Sequence, residues 1–151
     1  MKLNATLATA CVLVIAGVAA GCGDDNGDGT TTAAASISTA DFVAQANQIC
    51  KQGNAEIEKA GKKLGQSVNE AQLEDFAANT LVPSIQGQID DVKALGAPAG
   101  QESSVNQLIS TVQGDVDQLK ADPSKVKDDH LFDDANRAAN DLGLKECAGG
   151  S

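Results

Sequence analysis

Residues 37–65 read ISTADFVAQANQICKQGNAEIEKAGKKLG, and this stretch decides the fold. Ser38 stands three residues before Asp41, a capping-box-like pair, and Ile37 and Phe42 sit at the spacing of a hydrophobic staple. Apolar or small residues then recur as Phe42, Ala46, Ile49, Gly53, Ile57, Ala60 and Leu64, the period of one buried helical face. Cys50 lies seven residues from both Val43 and Ile57, beside that stripe. Glu58 and Lys62 form an i,i+4 pair of favourable orientation on the opposite face.

The same pattern continues downstream, and no strand-like alternation interrupts it. A second helix is predicted from Asn69, with Gln72 in the matching capping position and Leu73, Ala77, Leu81, Ile85, Ile89 and Val92 inward. Pro83 lacks a backbone donor and is expected to kink this helix or split it. Gly96 and Pro98 stop it. A third helix runs from about Gln101 to Ala121, where Pro123 ends it, with Val105, Leu108, Val112, Val116 and Leu119 inward. A short fourth begins near Asp128 or Asp129, carries Leu131, Ala135, Ala138 and Leu142, and is capped by Gly143. Short connections favour antiparallel neighbours, so the predicted fold is all-α: an up-down bundle of about four helices, helix two kinked at Pro83. In that arrangement helix four returns toward the start of helix one and stops partway, setting Cys147 beside mid-helix Cys50.

Upstream of this body the chain changes character. Lys2 is followed by Ala5 to Ala20 without a charge, an apolar run shorter than the roughly 20 residues a spanning helix needs. Such a core with a small-residue exit is the pattern of a cleaved secretory signal. Its end, Ala19-Ala20-Gly21-Cys22, resembles the lipobox of bacterial lipoproteins, with Ala19 where that family usually has Leu. The resemblance implies that the signal is cut before Cys22 and that the Cys22 thiol carries a diacylglyceryl group. Each buried methylene contributes about 0.8 kcal/mol, so two or three acyl chains hold the protein on a membrane that it does not span. The expected organisation is a signal peptide over 1–21, a lipidated tether over 22–37 and the helical domain over 38–151. The expected address is the outer side of the bacterial cell membrane, or the outer membrane in a Gram-negative cell. Gly23 stands where the family's Asp would mark inner-membrane retention.

Composition narrows the function classes. A net charge of −10 repels phosphate backbones and anionic headgroups. Nucleic-acid binding is therefore disfavoured, and the membrane link falls to the acyl chains. Phe42, Phe76 and Phe132 are the only aromatic residues, which disfavours sugar, base and quaternary-ammonium ligands. With Cys11 removed in the signal and Cys22 acylated, Cys50 and Cys147 remain in an oxidising compartment and are expected to form one disulfide. No C-x-x-C spacing supports a redox pair.

Residues 23–36, GDDNGDGTTTAAAS, hold no large apolar side chain and read as a flexible tether about 20 Å long. Asp24 to Gly29 imitates the opening of a calcium loop, but the twelfth position, which needs a bidentate Glu, is Ala35. The sole histidine, His130, would share a helical face with Asp133 or Asp134, a workable metal-ligand spacing, although acids at a helix start are expected from the macrodipole. One imidazole without a second nitrogen or thiolate makes a weak transition-metal site. Catalysis finds little support. Ser-His-Asp and Cys-His systems would both depend on His130, and Asp90 and Asp91 point about 100° apart on a helix. Residues 85–94, IQGQIDDVKA, are echoed by residues 112–121, VQGDVDQLKA. Both copies place Gln-Gly opposite the stripe. Gly87 and Gly114 there either reflect biased composition or let a partner approach the backbone.

Residues 40–57, ADFVAQANQICKQGNAEI, and 82–98, VPSIQGQIDDVKALGAP, resemble a group of small helical lipoproteins from high-GC bacteria. That resemblance adds architecture and no activity or cofactor. The expected function is a non-catalytic, membrane-anchored envelope domain that binds another envelope protein or serves as an accessory subunit. The alternative is a lipoprotein that binds a cation or small ligand on an acidic helical face or in a cleft at Pro83.

Overall fold

Ser38 opens the first helix as expected. In the computed structural model, which describes residues 36–149, its side chain accepts from the Asp41 backbone N–H at 3.1 Å and donates to Asp41 Oδ2 at 2.6 Å. The expected signal, Cys22, the Asp24–Gly29 segment and the expected tether as far as residue 35 lie outside the described residues. Helix α1 spans Thr39–Lys62. Phe42 and Ala46 on it are fully buried, and Ile37 packs against the same core, completing the staple. Glu58 and Lys62 pair at 2.5 Å on the solvent side.

The second rod begins at Asn69 with a complete capping box: Gln72 N–H donates to Asn69 Oδ1 at 2.9 Å, and Asn69 N–H donates to Gln72 Oε1 at 3.1 Å. It runs as α2 (Glu70–Phe76), a π-helical turn (Ala77–Leu81) and α3 (Val82–Leu95) without interruption. Pro83 has no N–H for the carbonyl four residues back, and its ring crowds that carbonyl. The chain answers with wider hydrogen bonding in the turn just before it, so the rod is not broken there. The wide turn also resets the buried face. Ala77 and Val82, five residues apart, are both buried, and the stripe then resumes through Ile89 and Val92. Leu81, expected inward, is only half-buried.

Helix α4 (Glu102–Ala121) follows the tight turn at Gly96, whose φ of 71° suits glycine, and the buried Pro98. Pro123 ends α4 and opens a short 3-10 turn, Pro123–Lys127. Helix α5 spans Asp133–Asp141 and so begins four or five residues later than expected. Asp128 to Phe132 form turns instead, because Asp128 Oδ1 takes the His130 backbone N–H at 3.0 Å, a local bond that competes with helix. The phase of α5 differs too: Ala135 and Ala139 are buried, whereas Ala138 is half-buried.

Counted as continuous rods, the described residues make four helices and no strand. α1 packs on α3, α3 on α4, and α4 on α5. One core cluster gathers Phe42, Ala46, Val92, Val105, Leu108, Ala139 and Leu144. A second joins Val82, Ile89, Val116 and Leu119. Full burial contributes about 1.5–3 kcal/mol for a side chain such as Phe42 or Leu119. None of the described helices is long and apolar enough to cross a membrane.

Candidate functional site: a core cavity beside the disulfide

Cys50 and Cys147 are joined, with an S–S distance of 2.07 Å. The bond is one of several stitches. Asn47, Cys50 and Asn54 lie three and four residues apart on one face of α1. Asn47 Nδ2 donates to the Gly143 carbonyl at 3.1 Å, and its Oδ1 accepts from the Glu146 N–H at 2.9 Å. Asn54 Nδ2 donates to the Glu146 carbonyl at 2.7 Å. The segment after α5 is shaped for this contact by a Schellman ending. Gly143, at φ 76°, donates to the Asn140 carbonyl, and Leu144 donates to that of Ala139 at 2.8 Å. Leu144 is fully buried against the core. Composition and periodicity had singled out neither asparagine. The legible signal is their spacing around Cys50 on the edge of the buried stripe.

Behind these stitches the helices line a half-open cavity of about 310 Å³. All four rods and the C-terminal segment contribute to its wall, which includes Ile57, Ile85, Val112, Phe132, Ala139 and the disulfide. Alanine and glycine at so many inward positions bring the backbones together without filling the middle. Among the described residues no Asp, Glu, Lys, Arg or His lines it; the polar side chains there are Asn54, Gln88 and Asn136. Gln88 is the exceptional one. Its Nε2 is sealed from solvent and has no hydrogen-bond partner among the described residues. The amide lies over Gly53 of α1, where a Cβ would come within 2.4 Å of Gln88 Cδ and Nε2. The glycine that permits close approach is thus Gly53.

Gly87 and Gly114 are exposed, and a Cβ on either would meet nothing within 4 Å. The glutamines before them are half-buried, contrary to the expectation that Gln-Gly faces away from the core. Gln86 and Gln113 bond to each other across α3 and α4.

The acidic candidates divide. His130 lies in the turn ahead of α5, its ring 85% exposed, with Nδ1 2.8 Å from Asp133 Oδ2. That hydrogen bond and the Asp133 charge hold the imidazole above its usual pKa. Asp134 instead pairs with Arg137 at 2.9 Å. Among the described residues no group of three or more His, Cys, Asp or Glu side chains comes together to hold a metal ion. Asp115 was not anticipated: it is buried on α4, its Oδ2 has no partner among the described residues, and burial, with the Asp134 charge, raises its pKa. Ser103, Ser104 and Ser110 are exposed on α4. No protein-family model, curated protein or solved structure matches this chain.

Proposed function

We propose that this chain is a lipid-anchored, non-catalytic binding domain of the bacterial cell envelope, held outside the membrane by acyl chains on Cys22. The observation that carries the reading is the fate of the cysteines. Cys50 and Cys147 are consumed in a disulfide, as suits an exported protein, which leaves Cys22 at the end of a lipobox-like signal. The binding part of the reading is supported by the apolar cavity, whose size lies at the lower end of ligand sites.

In the same reading the four rods run alternately up and down as an antiparallel bundle. Contacts between rod ends support this. Gln101, at the start of α4, reaches Thr39 at the start of α1, and Lys127, beyond the end of α4, pairs with Glu70 at the start of α2. Gly143, just past α5, meets Asn47 in the middle of α1.

Metabolic labelling with an alkyne-tagged palmitate in a bacterial host tests the anchor. Labelled protein is expected in the membrane fraction, and Cys22→Ser is expected to lose both label and membrane retention. Unlabelled wild-type protein recovered from the cytosol with Cys50 and Cys147 reduced would overturn the proposal.

A further inference from the structure

The rods make a sequence of contacts that does not close into a ring. α1 packs on α3, α3 on α4 and α4 on α5, whereas α1 and α5 are not a closely packed pair. They are bridged through the segment after α5, by the disulfide and the bonds of Asn47 and Asn54. The half-open cavity lies along this gap, since Asn54 and Ile57 of α1 and Asn136 of α5 all line it. Its wall is graded. The two asparagines, both half-buried, stand on the rods that flank the gap, while Ile89 of α3 and Leu108 of α4, on the far side, are buried.

Polar amides beside the opening and aliphatic side chains behind them suit a molecule with one apolar end. Only that end goes in, because no charged side chain among the described residues lines the wall to offset the lost hydration of an ionised group. The chain's net charge of −10 also disfavours an anionic group at the opening. Phe132 is the single ring among many aliphatic side chains on the wall, which favours an alkyl chain over a stacked aromatic ligand. A liquid water takes about 30 Å³, so the cavity has room for on the order of ten non-hydrogen atoms.

We propose that the cavity binds the hydrocarbon tail of a single-chain, non-anionic amphiphile, such as a zwitterionic lysophospholipid. About ten carbons enter between α1 and α5, and the headgroup stays in water beside Asn54 and Asn136. This names the ligand class for the binding role proposed above and does not depend on the anchor. Failure of palmitate labelling would sink the anchor alone, and failure of the titration below would sink the ligand site alone.

The whole chain carrying Cys22→Ser, purified without detergent, is titrated with hexyl-, octyl-, decyl- and tetradecylphosphocholine, each below its micelle concentration. Affinity is read by calorimetry and position by methyl NMR. Affinity is expected to rise about fourfold per methylene, the equivalent of about 0.8 kcal/mol, as far as the decyl chain. From decyl to tetradecyl the whole gain is expected to stay under about fourfold, because the added carbons lie outside the cavity. Decyl maltoside is expected to match decylphosphocholine within about threefold, since neither head is desolvated. The methyl signals of Ile57, Ile85 and Val112 are expected to shift. Val112→Phe, which fills the cavity, is expected to weaken binding at least about tenfold. If that variant does not fold, the length series and the methyl map decide without it. Absence of binding overturns the proposal, as does an affinity that climbs undiminished to tetradecyl or differs more than about tenfold between the two heads. So do shifts confined to the exposed Val68 while the cavity methyls stay still.

Discussion

Gln86 of α3 and Gln113 of α4 exchange two amide hydrogen bonds, at 3.1 and 3.0 Å, and they occupy the same position in the two echoed segments. The correspondence extends further. Gln86 also donates to Asp90 at 3.3 Å and Gln113 to Asp117 at 3.2 Å, again at equivalent places. Lys120 reaches across to Gln86 Oε1 at 3.0 Å. The echo is thus a paired surface where two helices meet. Gln86→Leu alone is expected to cost about 0.5–1.5 kcal/mol by stranding Gln113, and the double variant with Gln113→Leu less than the sum. Urea unfolding of the four proteins in that cycle reads the coupling; strictly additive losses would show the two amides to be independent.

Three of the four glycines in the described helices separate by what surrounds them. Gly87→Ala and Gly114→Ala place a methyl in open space and are expected to stabilise the fold by up to about 1 kcal/mol each. Gly53→Ala drives its Cβ into the Gln88 amide and is expected to lower the melting temperature. If Gly87 and Gly114 serve a partner, capture of that partner from the envelope weakens while stability rises. A Gly53→Ala protein more stable than wild type would contradict the packing described.

Closing a loop over 97 residues removes unfolded-state freedom worth about 4–5 kcal/mol in the chain-entropy treatment. Cys50→Ala with Cys147→Ala is expected to approach that loss, and to loosen the cavity by freeing part of its wall. The asparagine stitches should limit the damage, so adding Asn47→Ala is expected to deepen it. Denaturation midpoints with and without reductant provide the check; no difference in wild type would mean that the thiols are not joined.

Asp115 makes stability depend on pH in an unusual direction for an acid. Its folded pKa is raised above the ordinary value of 3.8, so the folded chain holds the proton where the unfolded chain has released it. Ionisation therefore weakens the fold as pH rises through the raised value, and acidification removes the penalty. Asp115→Asn is expected to melt higher than wild type at pH 7, the gap closing below about pH 3.8. A gap that widened on acidification would reverse the assignment.

His130 titrates alone, which makes its pairing directly readable. Its pKa is raised by the hydrogen bond and charge of Asp133, so any stabilisation is complete below 6.5 and lost as pH rises through the folded value. Because the ring is so exposed, the melting temperature is expected to move little. An NMR titration should place the imidazole pKa above 6.5, and Asp133→Asn should return it toward that value. Equal values in both proteins would remove the pairing.

The helix starts at Ser38 and Asn69, the stops at Gly96 and Pro123, and the Cys50–Cys147 pairing were legible in the chain because each rests on local chemistry or on elimination. Features that rest on geometry between helices were not. The late start of α5 follows from one Asp128 side chain outcompeting the helix, and the reset at Ala77 and Val82 from how the backbone absorbed Pro83. Glycine in an amphipathic pattern does not reveal its neighbour, so Gly87 and Gly114 stood out while Gly53, the one under a side chain, passed as part of a stripe. The cavity was invisible for the same reason: inward alanines announce close helices, and only their assembly shows whether space is left between them.

The wide turn at Ala77–Leu81 makes the second rod two screws cut to different phase. Deleting one residue there would let ordinary helix run straight through with both faces still in phase, whereas ordinary helix over the present number of residues would rotate everything upstream by about 100° against α3. The Asn69 end would then swing off the face that meets Pro123–Lys127, although no core side chain had been changed. The tolerance of this rod to change is therefore set by the number of its residues more than by their identity.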